Sequence, residues 1–96
     1  MKPSEALQAN REQIRKIVLS HRATNVRVFG SVLYHNDTES SDLDLLVDPT
    51  AETSMMDIGS IRYELKQLLG VDVDVLTPNA LPDSFRDEVV KHAVKV

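Results

Sequence analysis

Hydrophobic residues recur along the chain with two different periods, and the changes of period separate predicted helices from predicted strands. Over residues 4–21 they recur every three or four positions, which predicts one amphipathic helix. A second helix begins after Ser54, where Asp57 completes a capping-box pattern, and Gly70 suits its end. A third helix is predicted near the end of the chain, at about residues 82–90.

Three short segments have the composition and alternation of strands: residues 26–29, 42–47 and 71–76. Asp48-Pro49 ends the second strand and Thr77-Pro78 ends the third, while residues 35–41 form a polar loop. Helices and strands in this order predict an α/β (α+β) fold, in which a small mixed sheet of about three strands is flanked by helices.

Two of the predicted strands carry an Asp-x-Asp pattern. Side chains alternate between faces along a strand, so Asp42 and Asp44 point the same way, roughly 6.5–7 Å apart. The same alternation places Asp72 and Asp74 on one face of the later strand, and a third carboxylate joins the first two if the strands are neighbours. Clustered carboxylates repel each other unless cations neutralise them, and their hard oxygen atoms favour Mg²⁺ or Mn²⁺.

A turn of small residues precedes the first acid pair. Gly30 and Ser31 follow an apolar run, and ten residues separate them from Asp42. Glycine lets the backbone approach a triphosphate closely, and Ser31 adds a hydroxyl donor. Both patterns also have ordinary explanations, namely a tight turn and acidic residues on the solvent-facing side of a sheet. Asp is a poor strand former, however, and the combination of turn and acids favours a phosphate and metal site.

Length and composition limit the kinds of partner that we expect. Ninety-six residues without cysteine predict one domain, spanning residues 1–96, in the reducing cytoplasm. No segment is apolar enough for a membrane span or a signal peptide, so we expect no membrane association. The formal net charge of −4 argues against direct binding along a nucleic-acid backbone. It does not argue against a single nucleotide, because a bound metal reverses the local charge.

The segments GSVLYHNDTESSDLDLLVD and VDVDVLTP resemble the minimal nucleotidyltransferases of the DNA polymerase beta superfamily. More narrowly, the chain resembles the MNT-domain antitoxins that are encoded beside HEPN-domain toxins. The superfamily pattern is Gly-Ser, ten residues, Asp-x-Asp and a later third acid, and it is matched at Gly30, Ser31, Asp42 and Asp44. The third acid corresponds to Asp74 rather than Asp72, because the family's acid directly precedes a segment like Val-Leu-Thr-Pro.

The resemblance implies a polymerase beta-like nucleotidyltransferase fold and an enzyme that transfers AMP from ATP to a hydroxyl. Asp42, Asp44 and Asp74 would be catalytic and would hold two Mg²⁺ ions. Gly30 and Ser31 would hold the phosphates of ATP. The implied acceptor is a tyrosine of a partner HEPN toxin, which adenylylation silences, and the two proteins would form a hetero-oligomer.

One departure from the family pattern leaves other functions open. Many relatives carry an Arg-Gly-like pair where this chain has Tyr34-His35. If that arginine holds phosphate, activity here is weaker or His35 substitutes for it in part. One alternative is a binding antitoxin without catalysis, which neutralises its partner by forming a complex. Another is a catalytic subunit that modifies a small molecule held by a separate subunit.

Overall fold

A four-stranded mixed sheet forms the centre of the fold, in a computed structural model that describes residues 1–96. The strands are β1 (Ala23–Phe29), β2 (Leu43–Pro49), β3 (Val73–Leu76) and β4 (Val94–Lys95), in the spatial order β3-β2-β1-β4. β1 runs antiparallel to both β2 and β4, whereas β2 and β3 are parallel. The helices are α1 (Pro3–Ala9), α2 (Arg11–Ser20), α3 (Met55–Leu69) and α4 (Arg86–His92), with a 3-10 turn at Pro78–Ala80. This arrangement confirms the predicted mixed sheet flanked by helices.

The main hydrophobic core lies between one face of the sheet and helices α1, α2 and α3. Alternate residues of β2 enter it, and Leu43 and Leu45 are fully buried. Ile14 of α2 and Ile61 of α3 meet them from the helical side. Helix α3 is the crossover connection that the parallel strands β2 and β3 require. Leu46 alternates to the other face and is also fully buried, where the 3-10 turn contacts β2.

The single N-terminal helix predicted for residues 4–21 is wrong, because the chain forms two helices there that meet at Asn10. Asn10 has φ −135° and ψ 24°, outside the helical region. Its side-chain Nδ2 donates to the carbonyl oxygen of Ala6 at 3.0 Å, and its backbone N–H donates to that of Leu7 at 3.2 Å. Asparagine competes with the backbone for such hydrogen bonds, which is why it favours helix ends.

The C-terminal segment also differs from the prediction. Helix α4 begins at Arg86, four residues later than predicted, and Phe85 directly before it is 45% exposed. The short strand β4 follows and pairs Lys95 with Arg27 of β1. Two residues are too few for a periodic pattern, so this strand was not predicted. None of the helices has the length and hydrophobicity of a transmembrane segment.

The predicted ends of α3 are confirmed. Ser54 Oγ accepts the N–H of Asp57 at 3.1 Å, and the Asp57 carboxylate accepts the N–H of Ser54 at 2.8 Å. Gly70 ends the helix with φ 68°, in the left-handed region. Hydrogen bonds from Arg22 and from Ser54 lower the pKa of Asp57 to about 2. The ionised carboxylate therefore stabilises the fold above about pH 4, and this contribution is lost as the pH falls towards 2.

We predict that Ser54→Ala lowers the free energy of unfolding by about 1 kcal/mol, because alanine cannot accept the Asp57 N–H at the helix start. Ser60→Ala lies inside the same helix and is the matched control, since alanine is at least as good a helix former. Denaturant unfolding at pH 7 measures both differences. An equal loss of stability in the two variants would contradict this assignment of the cap.

Candidate active site

The acidic residues predicted from the alternating pattern meet at one end of the sheet. In the parallel pairing of β2 with β3, Asp44 lies directly opposite Asp74. The neighbouring pair, Leu43 with Val73, is buried on the other face of the sheet. Adjacent strands lie about 4.8 Å apart, so the two carboxylates are close neighbours on the face away from α3. Asp42 comes directly before β2 and lies at the same end.

The three carboxylates influence one another electrostatically. Partial burial, together with the negative charges of Asp74 and Asp42, raises the pKa of Asp44 to about 6. Asp44 is half-buried, whereas Asp42 and Asp74 are exposed. The ion pairs of the structure include Asp48, Asp57 and Asp72, but none of them includes these three residues. The site is therefore a place where a cation would relieve repulsion.

Gly30 brings the end of β1 against the acidic site. Phe29, the last residue of β1, pairs with Asp44 across the sheet, and Gly30 follows with φ 75°. A Cβ atom at this position would overlap Asp44 Oδ2 and lie 3.1 Å from Asp44 Cγ. Both the left-handed backbone and the close approach therefore require glycine. Ser31 comes next, so the predicted phosphate turn and the predicted metal ligands share one small region.

The structure separates the two acids that the alternating pattern placed together in the later strand. Asp72 precedes β3, is exposed, and pairs with Lys66 of α3, with Nζ and Oδ1 3.1 Å apart. Its backbone carbonyl oxygen accepts the N–H of Leu43 at 2.8 Å. Asp74, in contrast, faces Asp44. Asp74 is thus the third acid that the geometry brings to the first two.

The carboxylates suit a metal that also has ligands from outside the protein. No group of three or more His, Cys, Asp or Glu side chains is arranged to hold a metal ion by itself. Mg²⁺ commonly takes one or two carboxylates and completes its octahedral shell with water and with phosphate oxygens of a substrate. The hard oxygens of Asp42, Asp44 and Asp74, with their mutual repulsion, fit this kind of shared coordination.

Tyr34 and His35 end the turn that begins at Gly30, at the positions where the sequence departs from the family pattern. His35 has φ 59°, in the left-handed region that glycine enters freely and that histidine tolerates better than most residues. Its N–H donates to the carbonyl oxygen of Val32 at 3.2 Å. Tyr34 is 59% exposed and provides no guanidinium group. At these two positions the chain therefore carries no guanidinium group.

A shallow apolar cavity of about 250 Å³ opens beside Gly30, between the turn and helix α4. Its lining residues are mainly hydrophobic: Phe29, Leu33, Tyr34, Phe85 and Val89. Glu88 and His92 complete the lining, and none of the three site acids belongs to it. A planar ring could be buried against the hydrophobic side chains.

Asp37 is a further residue near the site to which the sequence analysis gave no role. It is buried, with 8% of its surface exposed, and it accepts a hydrogen bond from the backbone of Ser4 in α1. An aspartate in a polar loop has no periodic pattern that distinguishes it from its exposed neighbours. Only the position of α1 in the fold shows that its carboxylate has a partner.

Comparison with known proteins gives a consistent result. The profile of the family described as "Nucleotidyltransferase domain" matches residues 11–96. A relative from Methanocaldococcus jannaschii, provisionally named a protein adenylyltransferase, is 35% identical over 86 residues, covering 90% of this chain and 92% of the relative. Protein adenylyltransferase MntA from Thermococcus cleftensis is 28% identical over 93 residues, covering 88% of this chain and 94% of the relative.

Solved structures agree with these sequence relatives. A protein provisionally described as a minimal nucleotidyltransferase superposes with a TM-score of 0.86 and 36% identity, covering 97% of this chain and 95% of its own. A toxin–antitoxin structure with AMP-PNP has a TM-score of 0.75 and 19% identity, over 90% of this chain and 71% of that one. The toxin–antitoxin MntA–HepT has a TM-score of 0.67 and 19% identity, over 92% and 69%. These last two show the shared fold.

We predict that Asp44→Asn stabilises the metal-free protein at neutral pH. The pKa of Asp44 lies above its ordinary value of 3.8, so the folded state keeps a proton that the unfolded state releases between about pH 4 and 6. Stability therefore falls as the pH rises through this interval. Asparagine cannot ionise, and we expect a gain of about 1 kcal/mol at about pH 7.5, allowing for solvent screening of this half-buried group.

Denaturant unfolding with EDTA at about pH 4 and about pH 7.5 measures the effect of Asp44→Asn. The two proteins should be equally stable at the lower pH. Asp72→Asn is the control, because that carboxylate pairs with Lys66 and its loss should give no gain. A drop in stability for Asp44→Asn at neutral pH would contradict the predicted repulsion.

We predict that Gly30→Ala destabilises the protein by at least about 1–2 kcal/mol, since alanine is strained at φ 75° and its Cβ overlaps Asp44. The matched control is Gly59→Ala within α3, where a Cβ meets nothing within 4 Å. Helix propensity predicts that this control stabilises by up to about 1 kcal/mol. Unfolding experiments that gave the two substitutions the same sign would be inconsistent with the close approach at Gly30.

Proposed function

This chain belongs to the nucleotidyltransferase domain family, and from that premise we propose that it is a Mg²⁺-dependent protein adenylyltransferase acting as an antitoxin. It would transfer AMP from ATP to a tyrosine hydroxyl of a partner HEPN toxin. The observation that carries the proposal is the close approach of Gly30 to Asp44, which itself faces Asp74. This arrangement supports a single site in which the turn would bind phosphate and the acids would bind metal.

Each predicted site residue has a role that its position supports. The turn at Gly30 and Ser31 would hold the β- and γ-phosphates of ATP. Asp42, Asp44 and Asp74 would hold two Mg²⁺ ions, which supply neutralisation of the phosphate charge when bound. Mutual repulsion among these carboxylates in the metal-free protein supports this role, because cations would remove it.

The transfer itself is a displacement at phosphorus. The acceptor hydroxyl oxygen forms a bond to the α-phosphorus, and the bond from that phosphorus to the bridging oxygen of the β-phosphate breaks, which releases pyrophosphate. The hydroxyl proton passes to the carboxylate of Asp74, which is exposed and therefore accessible to an incoming acceptor. Positioning of the two reactants and charge neutralisation would supply most of the rate enhancement.

A protein acceptor is favoured over a small molecule by the relatives and by the shape of the site. Relatives over most of the chain are named protein adenylyltransferases, and one structural neighbour is the toxin–antitoxin MntA–HepT. Another neighbour is a toxin–antitoxin structure with AMP-PNP, which supports an adenine nucleotide as donor. The cavity beside Gly30 is shallow and open. An acceptor bound there would be held largely by its own parent protein, in a hetero-oligomer located in the cytoplasm.

A binding antitoxin without catalysis is the second candidate function. The observation that favours it is the absence of a guanidinium group at Tyr34-His35, where many relatives have an Arg-Gly-like pair. Such a protein would neutralise its partner by contact alone, and its acids would be dispensable. A catalytic subunit for small molecules is a third possibility, which the same experiment separates from the other two.

We predict that Asp42→Asn lowers AMP transfer at least about a hundredfold, because even residues that only support metal ligands commonly contribute ten- to a hundredfold. Asp72→Asn removes the same charge from a residue paired with Lys66 and should retain full transfer. The measurement is the intact mass of the adjacent gene's product after incubation with the purified protein, ATP and Mg²⁺. EDTA should abolish the added mass of AMP.

Three outcomes distinguish the candidate functions. Added AMP on the partner that Asp42→Asn loses and Asp72→Asn keeps would support the adenylyltransferase. An unmodified partner that both variants still neutralise and bind would contradict it and leave the binding antitoxin. AMP on a hydroxyl of an added small molecule, with the partner unmodified, would favour the catalytic subunit.

A further inference from the structure

Residues 31–42, here called the site loop, connect the two halves of the proposed active site. Ser31 at its beginning would contact the phosphates of the nucleotide, and Asp42 at its end would contact the metal. The relative position of these two groups therefore depends on the conformation of a connection that contains no regular helix or strand. A connection of this kind orders only where specific contacts offset the loss of backbone entropy.

The site loop consists of two hydrogen-bonded turns that meet at Asp37. In the first turn, the N–H of Asn36 donates to the carbonyl oxygen of Ser31 at 2.9 Å. In the second turn, the N–H of Thr38 donates to Ser41 Oγ at 2.8 Å, and the N–H of Ser41 donates to the carbonyl oxygen of Thr38 at 3.0 Å. Each turn holds its own shape, so the angle between them depends on the residue at their junction.

Asp37 fixes that junction to helix α1. It is buried, whereas residues 34–36 and 38–40 on either side of it are exposed. Its Oδ2 accepts the backbone N–H of Ser4 at 2.9 Å, across 33 positions of sequence. This hydrogen bond, together with the positive charge of Lys2, lowers the pKa of Asp37, so the carboxylate is ionised throughout the neutral range. A charge-assisted bond of this kind is stronger than one between neutral groups.

Helix α1 is well placed to serve as a fixed support. Its residues Ala6 and Leu7 are buried in the main core, which attaches the helix firmly to the rest of the fold. The helix contacts α2 and α3. It also lies before residue 11, where the match to the family profile begins. A solved structure of 36% identity nevertheless covers 97% of the chain, so the support is not confined to the part that the profile matches.

We propose that helix α1 braces the site loop through Asp37, which acts as a positioning residue for nucleotide binding. The inference rests on the proposed function, since it assigns the loop a role in holding Ser31 and Asp42 at the correct separation. Asp37 contacts neither the nucleotide nor the acceptor in this arrangement. It acts only by fixing the conformation of the two turns.

The hydrogen bond between Asp37 and Ser4, here called the brace, should affect the apparent affinity for nucleotide more than the rate of transfer. Without it, the loop samples several conformations, and only a fraction of molecules have both halves of the site in place. The apparent affinity for nucleotide falls by that fraction, whereas molecules that have bound nucleotide react at the usual rate. Loss of the brace should therefore raise KM for ATP and change kcat little.

The test compares four variants with the wild-type protein. Asp37→Ala removes the brace, and Asp37→Asn keeps an oxygen that can accept the Ser4 N–H. Glu39→Ala removes a carboxylate from the same loop that is paired only with the N-terminal amine at 3.6 Å. Ser54→Ala lowers global stability at a helix cap remote in sequence from the loop. The readouts are Kd for AMP-PNP with Mg²⁺, KM and kcat for AMP transfer, and amide hydrogen exchange.

The brace predicts that Asp37→Ala weakens AMP-PNP binding roughly three- to tenfold and raises KM for ATP by a similar factor, with kcat within about twofold of wild type. Amides of residues 36–42 and of Ser4 should exchange faster. Asp37→Asn should recover most of the affinity, and the Glu39 and Ser54 variants should bind nucleotide like the wild type.

Two results would overturn the brace. One is unchanged exchange in the site loop of Asp37→Ala. The other is a loss of nucleotide affinity in Ser54→Ala or Glu39→Ala as large as that in Asp37→Ala. If the proposed function is wrong but the brace is correct, the wild-type protein binds no nucleotide. Asp37→Ala would then still increase amide exchange in the site loop.

Discussion

The register between β2 and β3 is the constraint on which the rest of the structure depends. Because the two strands are parallel and Asp44 lies opposite Asp74, one face of the pair carries carboxylates and the other carries buried side chains such as Leu43 and Val73. A slip of one residue would place acids in the core and hydrophobic residues in the site. The packing of α2 and α3 on the sheet therefore also determines which carboxylates meet.

The acidic residues at the two ends of β2 have different neighbours. At the far end, Asp48 is paired with Arg27, which is itself buried, so the charge contributes to the fold. At the near end, Asp42 and Asp44 lie beside Asp74, and partial burial together with this repulsion raises the pKa of Asp44. Hydrophobic burial along the middle of the strand offsets this unfavourable interaction. The proposed site is thus held together by the hydrophobic core on the other face of the sheet.

Local patterns were sufficient for the ends of α3, whereas the strand β4 that they missed has a long-range cause. The capping pair Ser54 and Asp57 and the stop at Gly70 are interactions between residues a few positions apart, and each is found where the sequence indicates. The break at Asn10 required knowledge that its side chain turns back onto the helix. Strand β4 exists only because β1 offers it an edge to pair with.

The candidate site shows the same division between local and long-range causes. Alternation alone could not distinguish the roles of Asp72 and Asp74. Asp72 forms an ion pair with Lys66 of α3, whereas the strand register places Asp74 opposite Asp44. The contact of Asp37 with Ser4 of α1 joins residues 33 positions apart, so no short window of sequence contains it. Motif spacing therefore identifies which residues can carry the chemistry, whereas tertiary contacts decide how firmly those residues are held together.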